Sequence, residues 1–167
     1  MVFKLYTKNM IKLAILKNED PFEHIPWVNA CKEIDHNCVY QVIDLSKEDW
    51  LVQVKLYKPD GFLVKPSSKT SVFRDQYLER LDILCNDLNY PCFPNYQEAR
   101  IYESKRFFSY WASSQNIPHP NTSVYYNKSE ALAFADKCDL PIVGKMNIGA
   151  SGNGIEILKS RDQLVKY

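Results

Sequence analysis

Four of the five glycines in this 167-residue chain fall between Pro141 and Leu158, in the stretch PIVGKMNIGASGNGIEIL. The loop Asn147 to Asn153 carries no bulky group after Ile148, so its backbone amides can close on an anion without Cβ interference. Ser151 adds a hydroxyl donor, and Lys145, alternating with Gly144 and Met146, adds an ammonium on the preceding run. Amides, a hydroxyl and a nearby ammonium are the components of a phosphate cradle. The same residues also suit a plain glycine-rich turn between two antiparallel strands, and the stretch alone does not separate the two. Two other phosphate loops are excluded. No Lys-Ser or Lys-Thr follows the glycines, as Walker A requires, and a second strand follows where a dinucleotide fingerprint needs a helix.

The flanking runs Ile142–Met146 and Gly154–Leu158 read as strands around that loop. Upstream, Glu103 to Gln115 reads as a helix whose apolar stripe is Phe107, Phe108, Trp111 and Ala112. At about 100° per residue Lys105 sits on the flank of that stripe, from which a lysine can reach into a cleft or simply meet solvent. Asn116 to Pro120 ends the helix, and Thr122–Tyr126 reads as a strand. Asn127 with Glu130 predicts a capped helix bearing Ala131, Phe134, Ala135 and Cys138, and Ser160 with Gln163 predicts another.

The N-terminal part has a βαβ rhythm. Strands are expected at Ile11–Leu16, Cys38–Ile43 and Phe62–Val64, with helices at His24–Ile34, after Ser46 as a cap, and along the face Phe73, Tyr77, Leu81, Leu84 and Leu88. The turn after the first strand lacks glycine, which counts against an NAD or FAD domain. The polar loop Lys65–Thr70 follows the third strand, where ligands gather in open α/β sheets. Ser67, Ser68 and Arg74 are the substrate-side candidates there, and turn chemistry alone also explains them. The fold class is therefore α/β: a Rossmann-like domain with a mostly parallel sheet at 11–97, then a small α+β subdomain with antiparallel strands at 98–167, after an extension at 1–10.

Twenty-one basic against twenty acidic residues leave a net charge of +1, which indicates neither nucleic acid nor a membrane surface as partner. The cysteines at 31, 38, 85, 92 and 138 are odd in number and form no C-x-x-C, so reduced thiols in a cytoplasmic protein are expected, not a disulfide framework or a zinc site. The run Ile11 to Leu16 is too short for a membrane span. His24, His36 and His119 are too scattered to nominate a metal site.

Lys105, the Ile117-Pro118-His119-Pro120-Asn121-Thr122 turn, Pro141-Ile142-Val143-Gly144-Lys145 and the G-A-S-G-N-G loop, in that order, resemble the first half of an ATP-grasp module. The resemblance covers almost the whole chain, with 11–97 corresponding to the pre-ATP-grasp domain. It implies that Lys105 contacts a nucleotide phosphate and that Lys145 meets the α-phosphate or the adenine edge. Gly149, Ala150, Ser151, Gly152, Asn153 and Gly154 would fold over the phosphates of ATP. It implies a ligase that activates a carboxylate as an acyl phosphate and joins it to an amine or related nucleophile. Pro26–Cys31 and Asp60–Leu63 are similar to members found among bacterial surface-polysaccharide functions. The family's magnesium-binding half would follow Tyr167, so we expect Mg2+ only in the complete module, no metal ligand here, and a truncated chain inactive alone. A homodimer or a complementing second half is the expected protein partner. The alternative function is a non-catalytic binding or scaffold module.

Overall fold

A computed structural model of the chain describes residues 10–34, 38–67, 69–149, 152 and 154–167. The chain forms two compact units, one up to Arg100 and one spanning Ile101–Tyr167.

The first unit is built from β1 (Ile11–Lys17), α1 (Ile25–Glu33), β2 (Cys38–Asp44), α2 (Trp50–Tyr57), β3 (Gly61–Val64), α3 (Ser71–Asp82), β4 (Cys92–Phe93) and α4 (Tyr96–Ile101). All four strands are parallel, in the order β2-β1-β3-β4. β1 is central: Ala14, Ile15 and Leu16 are each fully buried, so both of its faces are covered, as a parallel sheet demands. Ala14 and Leu16 share a core with Ile43, Val54, Phe62, Val64 and the α3 residues Tyr77 and Leu81. The α/β class expected from the periodicity is the one found.

Three local expectations are corrected. Ser46 does not cap α2, whose N-cap is Asp49; its hydroxyl and amide instead bond Asp44, at 2.6 and 2.9 Å. The helix expected to run to Leu88 changes after Asp82 into a π-helical turn, Ile83–Asp87, closed by Leu88 N–H to the Ile83 carbonyl at 2.9 Å. That extra residue per turn rotates Leu88 off the apolar face, and it is exposed while Leu84 stays buried. In the second unit Thr122–Tyr126 is not a strand. Its β-branched and aromatic residues suit extended backbone, but no strand among the described residues pairs with it, and the Tyr125 ring packs on Phe134 instead.

Asp44, at the end of β2, makes the first unit sensitive to acid. Burial alone would push its carboxyl up, yet bonds from the Ser46 hydroxyl, the Lys17 ammonium at 2.9 Å and the Ser46 amide together hold it below the usual carboxylate range. A depressed folded value contributes stability that is complete above the unfolded value, near 4, and is lost as pH falls through the folded one. Asp44→Asn is therefore expected to flatten the loss of unfolding free energy on acidification below about pH 4, read from urea melts across pH. An unchanged acid slope would refute the assignment.

The second unit comprises α5 (Lys105–Ser114), α6 (Lys128–Ala135), β5 (Ile142–Lys145), β6 (Ile155–Leu158) and α7 (Arg161–Lys166). The two strands form an antiparallel hairpin. Asn127 and Ser160 cap α6 and α7, accepting from Glu130 N–H at 3.1 Å and Gln163 N–H at 3.3 Å.

Candidate functional site

The glycine stretch is a hairpin with a fixed register. Gly144 pairs Glu156 and Lys145 pairs Ile155, and Met146 N–H donates to the Gly154 carbonyl at 2.8 Å just beyond the last pair. Gly144 is buried, and a Cβ there would lie 2.8 Å from the Tyr167 ring, so a side chain at this position would displace that ring. At the far end of the loop Gly154 has φ +68°, and Gly152 has φ +83° with nothing within 4 Å of a built Cβ. Gly152 is thus kept for its backbone conformation, not for close packing. Ala150, Ser151 and Asn153 lie outside the described residues.

Residues 147 to 149 of the loop are held by the start of α5. Ile148 makes an antiparallel bridge with Ser104, Lys105 N–H donates to the Asn147 carbonyl at 3.1 Å, and Arg106 N–H donates to Asn147 Oδ1 at 2.9 Å. Asn147 therefore satisfies the first amides of α5, a task the N-cap Ser104 side chain leaves open. The Lys105 ammonium donates to the Gly149 carbonyl and lies 3.5 Å from the Glu103 carboxylate.

Lys105 and the glycine loop, 44 residues apart, are thus in direct contact. Lys105 lies on the face of α5 that carries the buried Ser109 and Ala112, at i, i+4 and i+7; of the expected stripe, Ala112 is buried and Phe108 is 38% exposed. Lys145 is exposed, and among the described residues nothing pairs with its ammonium. The second unit thus ties Lys105 to the start of the glycine loop, while Lys145 stands at the end of β5, the strand that leads into it.

In the first unit, Ser67 and Arg74 sit near the carboxyl ends of β1 and β3, the adjacent strands where the order of connection reverses. Both are buried. The Ser67 hydroxyl donates to Glu19 Oε1, and the Arg74 guanidinium donates to the carbonyls of Ser67 at 3.0 Å, Ala99 at 3.3 Å and Arg100 at 3.0 Å. Asn18, also buried, bridges the Glu23 carboxylate at 2.6 Å and the Lys65 carbonyl at 2.9 Å. The loops after β1 and β3 are in this way tied to each other. Ser68 lies outside the described residues.

Asn147, Glu103 and Asn18 are the participants that sequence reasoning missed. Asn18 lies in the turn after the first strand, where its residue type signals only a turn, while the partners of Asn147 lie more than forty residues upstream and leave no local pattern. Among the described residues no three His, Cys, Asp or Glu side chains cluster to hold a metal. No described helix is long and apolar enough to cross a membrane.

The comparisons with solved structures show the fold. No family model matches the chain. It is similar to the biotin carboxylase domain of Hydrogenobacter thermophilus 2-oxoglutarate carboxylase, a dimer in complex with magnesium ADP, ADP and bicarbonate. That likeness has a TM-score of 0.65 and 16% identity over 95% of this chain and 40% of the other. It is also similar to a RimK domain ATP-grasp protein from Sphaerobacter thermophilus, with a TM-score of 0.56 and 15% identity over 93% of this chain and 57% of that one. The chain thus spans about half the length, or less, of the solved chains it matches.

Proposed function

We propose that this chain is the nucleotide-binding portion of an ATP-grasp ligase, one that activates a substrate carboxylate with ATP and joins it to an amine or related nucleophile. The observation that carries this reading is the docking of Lys105 on the glycine loop of a unit whose fold is that of ATP-grasp proteins. In this reading Lys105 and Lys145 bind and orient the phosphate chain as fixed cations. The loop Gly149 to Gly154 lies over the phosphates and excludes water from them. Moving its ammonium from the Gly149 carbonyl to a phosphate oxygen would replace a neutral acceptor by a charged one, a stronger bond. ATP supplies the phosphoryl group that makes the carboxylate reactive, and Mg2+ would be held by residues other than those described. The loop of Ser67 and Ser68, pinned by Arg74 at the switch point of the sheet, is the candidate surface for the carboxylate substrate. The similarity of Pro26–Cys31 and Asp60–Leu63 to members with surface-polysaccharide functions extends the proposal to bacterial surface-polysaccharide or peptide modification.

Thermal melting of the purified chain with millimolar ATP, with and without Mg2+, tests this. A rise of several degrees is expected, the response to about 1–3 kcal/mol of linkage, and Lys105→Gln and Lys145→Ala should each remove most of it. A rise independent of Mg2+ would favour a binding module over a catalyst. No shift under any condition, or an equal shift in both variants, would defeat the assignment of these residues.

A further inference from the structure

The sheet of the first unit has two edges, and they are not alike. β4 is two residues long and lies between Pro91 and Pro94, so it offers almost nothing for another strand to pair with. β2, at the other edge, is seven residues long and contains no proline, glycine or lysine. Its only charged residue is Asp44, at the last position, and Lys17 neutralises that carboxylate from 2.9 Å. Edge strands are ordinarily guarded by shortness, proline or charge. One edge of this sheet is guarded in that way and the other is open.

The direction of the open groups follows from the ladder with β1. Lys17 lies opposite Asp44, and one step on the Leu45 N–H donates to the Lys17 carbonyl at 3.0 Å. Backbone groups alternate sides along a strand, so the odd residues of β2 address β1, while Tyr40 and Val42 turn their N–H and C=O groups outward. Among the described residues no hydrogen bond reaches those groups. The outward carbonyl of Asp44 is different, since it already accepts from Lys47 N–H at 3.1 Å.

We propose that β2 pairs antiparallel with β2 of a second copy of this chain, joining the two sheets across a two-fold axis at Gln41. The strand is complementary to itself. A two-fold axis normal to a sheet keeps each side chain on its own face, so residues directly opposite must share a face and the axis must pass through a residue. Gln41 is the middle residue of β2, and an axis there gives full overlap. Tyr40 then stands opposite Val42 of the second copy, an aromatic against a β-branched side chain, and the two exchange their outward hydrogen bonds. The two Asp44 carboxylates lie about 20 Å apart at opposite ends of the pairing, so no like charges meet.

Light scattering and amide exchange of the full chain over a wide concentration range give the test. The mass is expected to rise toward twice the monomer value, with exchange at Tyr40 and Val42 slowing as it does. Gln41→Lys sets two ammoniums face to face on the axis and should hold the chain monomeric. Because misfolding could also abolish pairing, Gln41→Cys supplies a gain of signal. Position 41 meets itself in a non-hydrogen-bonded pair with Cα atoms about 4.5 Å apart, within disulfide reach. Mild oxidation should join its peptide to its own copy, whereas Val39→Cys, placed opposite Ile43 of the second copy, should not self-link. The proposal fails if the chain is monomeric at every concentration, if Gln41→Lys dimerises as well as the parent, or if Gln41→Cys links to itself no better than Val39→Cys. Tyr40 and Val42 amides that are equally slow at every concentration would also overturn it, since the edge would then be covered from within a single chain.

Discussion

Arg74→Ala is expected to destabilise the first unit by about 3–5 kcal/mol, among the largest effects of any single truncation in it. The side chain is 1% exposed, and its two terminal nitrogens reach three carbonyls in two segments, the loop after β3 and the end of α4. Those oxygens are remote in sequence and have no shared strand or helix to join them, so the guanidinium is the device that does it. Removing it leaves buried acceptors unpartnered, at about 1–3 kcal/mol each for those that water does not reach, together with the void of a long side chain. Arg74→Lys should recover only part of the loss, because one ammonium cannot reproduce a planar fork to separate acceptors. Arg74→Met keeps the volume without donors, so the gap between the Met and Lys variants isolates the hydrogen bonds. Urea unfolding midpoints measure all three. An Ala variant within about 1 kcal/mol of the parent would mean the guanidinium is not structural, and would return Arg74 to the substrate side of the proposed ligase.

The outcome at Arg74 illustrates where the sequence was legible and where it was not. Periodicity disclosed β1, β2 and β3 because a strand buried on one or both faces must spend consecutive apolar residues on it, and the chain does so at Ala14, Ile15 and Leu16. The caps Asn127 and Ser160 were readable because donor and acceptor lie within three residues. Where a partner is distant, local chemistry misleads. Thr122–Tyr126 has strand composition without a strand to pair with, and Ser46 has cap composition but a carboxylate two residues back that holds its hydroxyl. Lys105 lay on the flank of an aromatic stripe by helical geometry alone. In the structure the small side chains of Ser109 and Ala112 form the buried face, and the lysine above them reaches the loop. The glycine loop itself was legible as a candidate anion cradle, but Asn147, which fixes its start, was not, since capping a helix from forty residues away leaves no pattern in either segment.

Gly154→Val should open the hairpin of the second unit, at a cost of about 2–4 kcal/mol. Two independent effects add there. With φ at +68°, a β-branched residue is held in a left-handed conformation it strongly disfavours. A Cβ at this position would also lie 2.8 Å from Met146 Cβ and Cγ, and because Cβ is fixed to the backbone, rotation of the methionine does not relieve the overlap. The same two residues share the hydrogen bond from Met146 N–H to the Gly154 carbonyl, so separating the side chains pulls on the bond that continues the strand pairing. Met146→Ala is accordingly not expected to rescue the variant, since its Cβ remains. Gly152→Ala supplies the control: with φ at +83° and open space around it, it carries strain without collision and should cost about 1 kcal/mol. Amide exchange of Met146, whose N–H donates to the Gly154 carbonyl, and of Glu156, which lies opposite Gly144 in the register, reports the opening directly. Retention of their protection in Gly154→Val would show that the loop accommodates a side chain by shifting, and would remove the steric reason for glycine at the end of the proposed phosphate cradle. Loss of protection in Gly154→Val but not in Gly152→Ala would assign the requirement to the contact with Met146, which fixes where the loop must close before any ligand arrives.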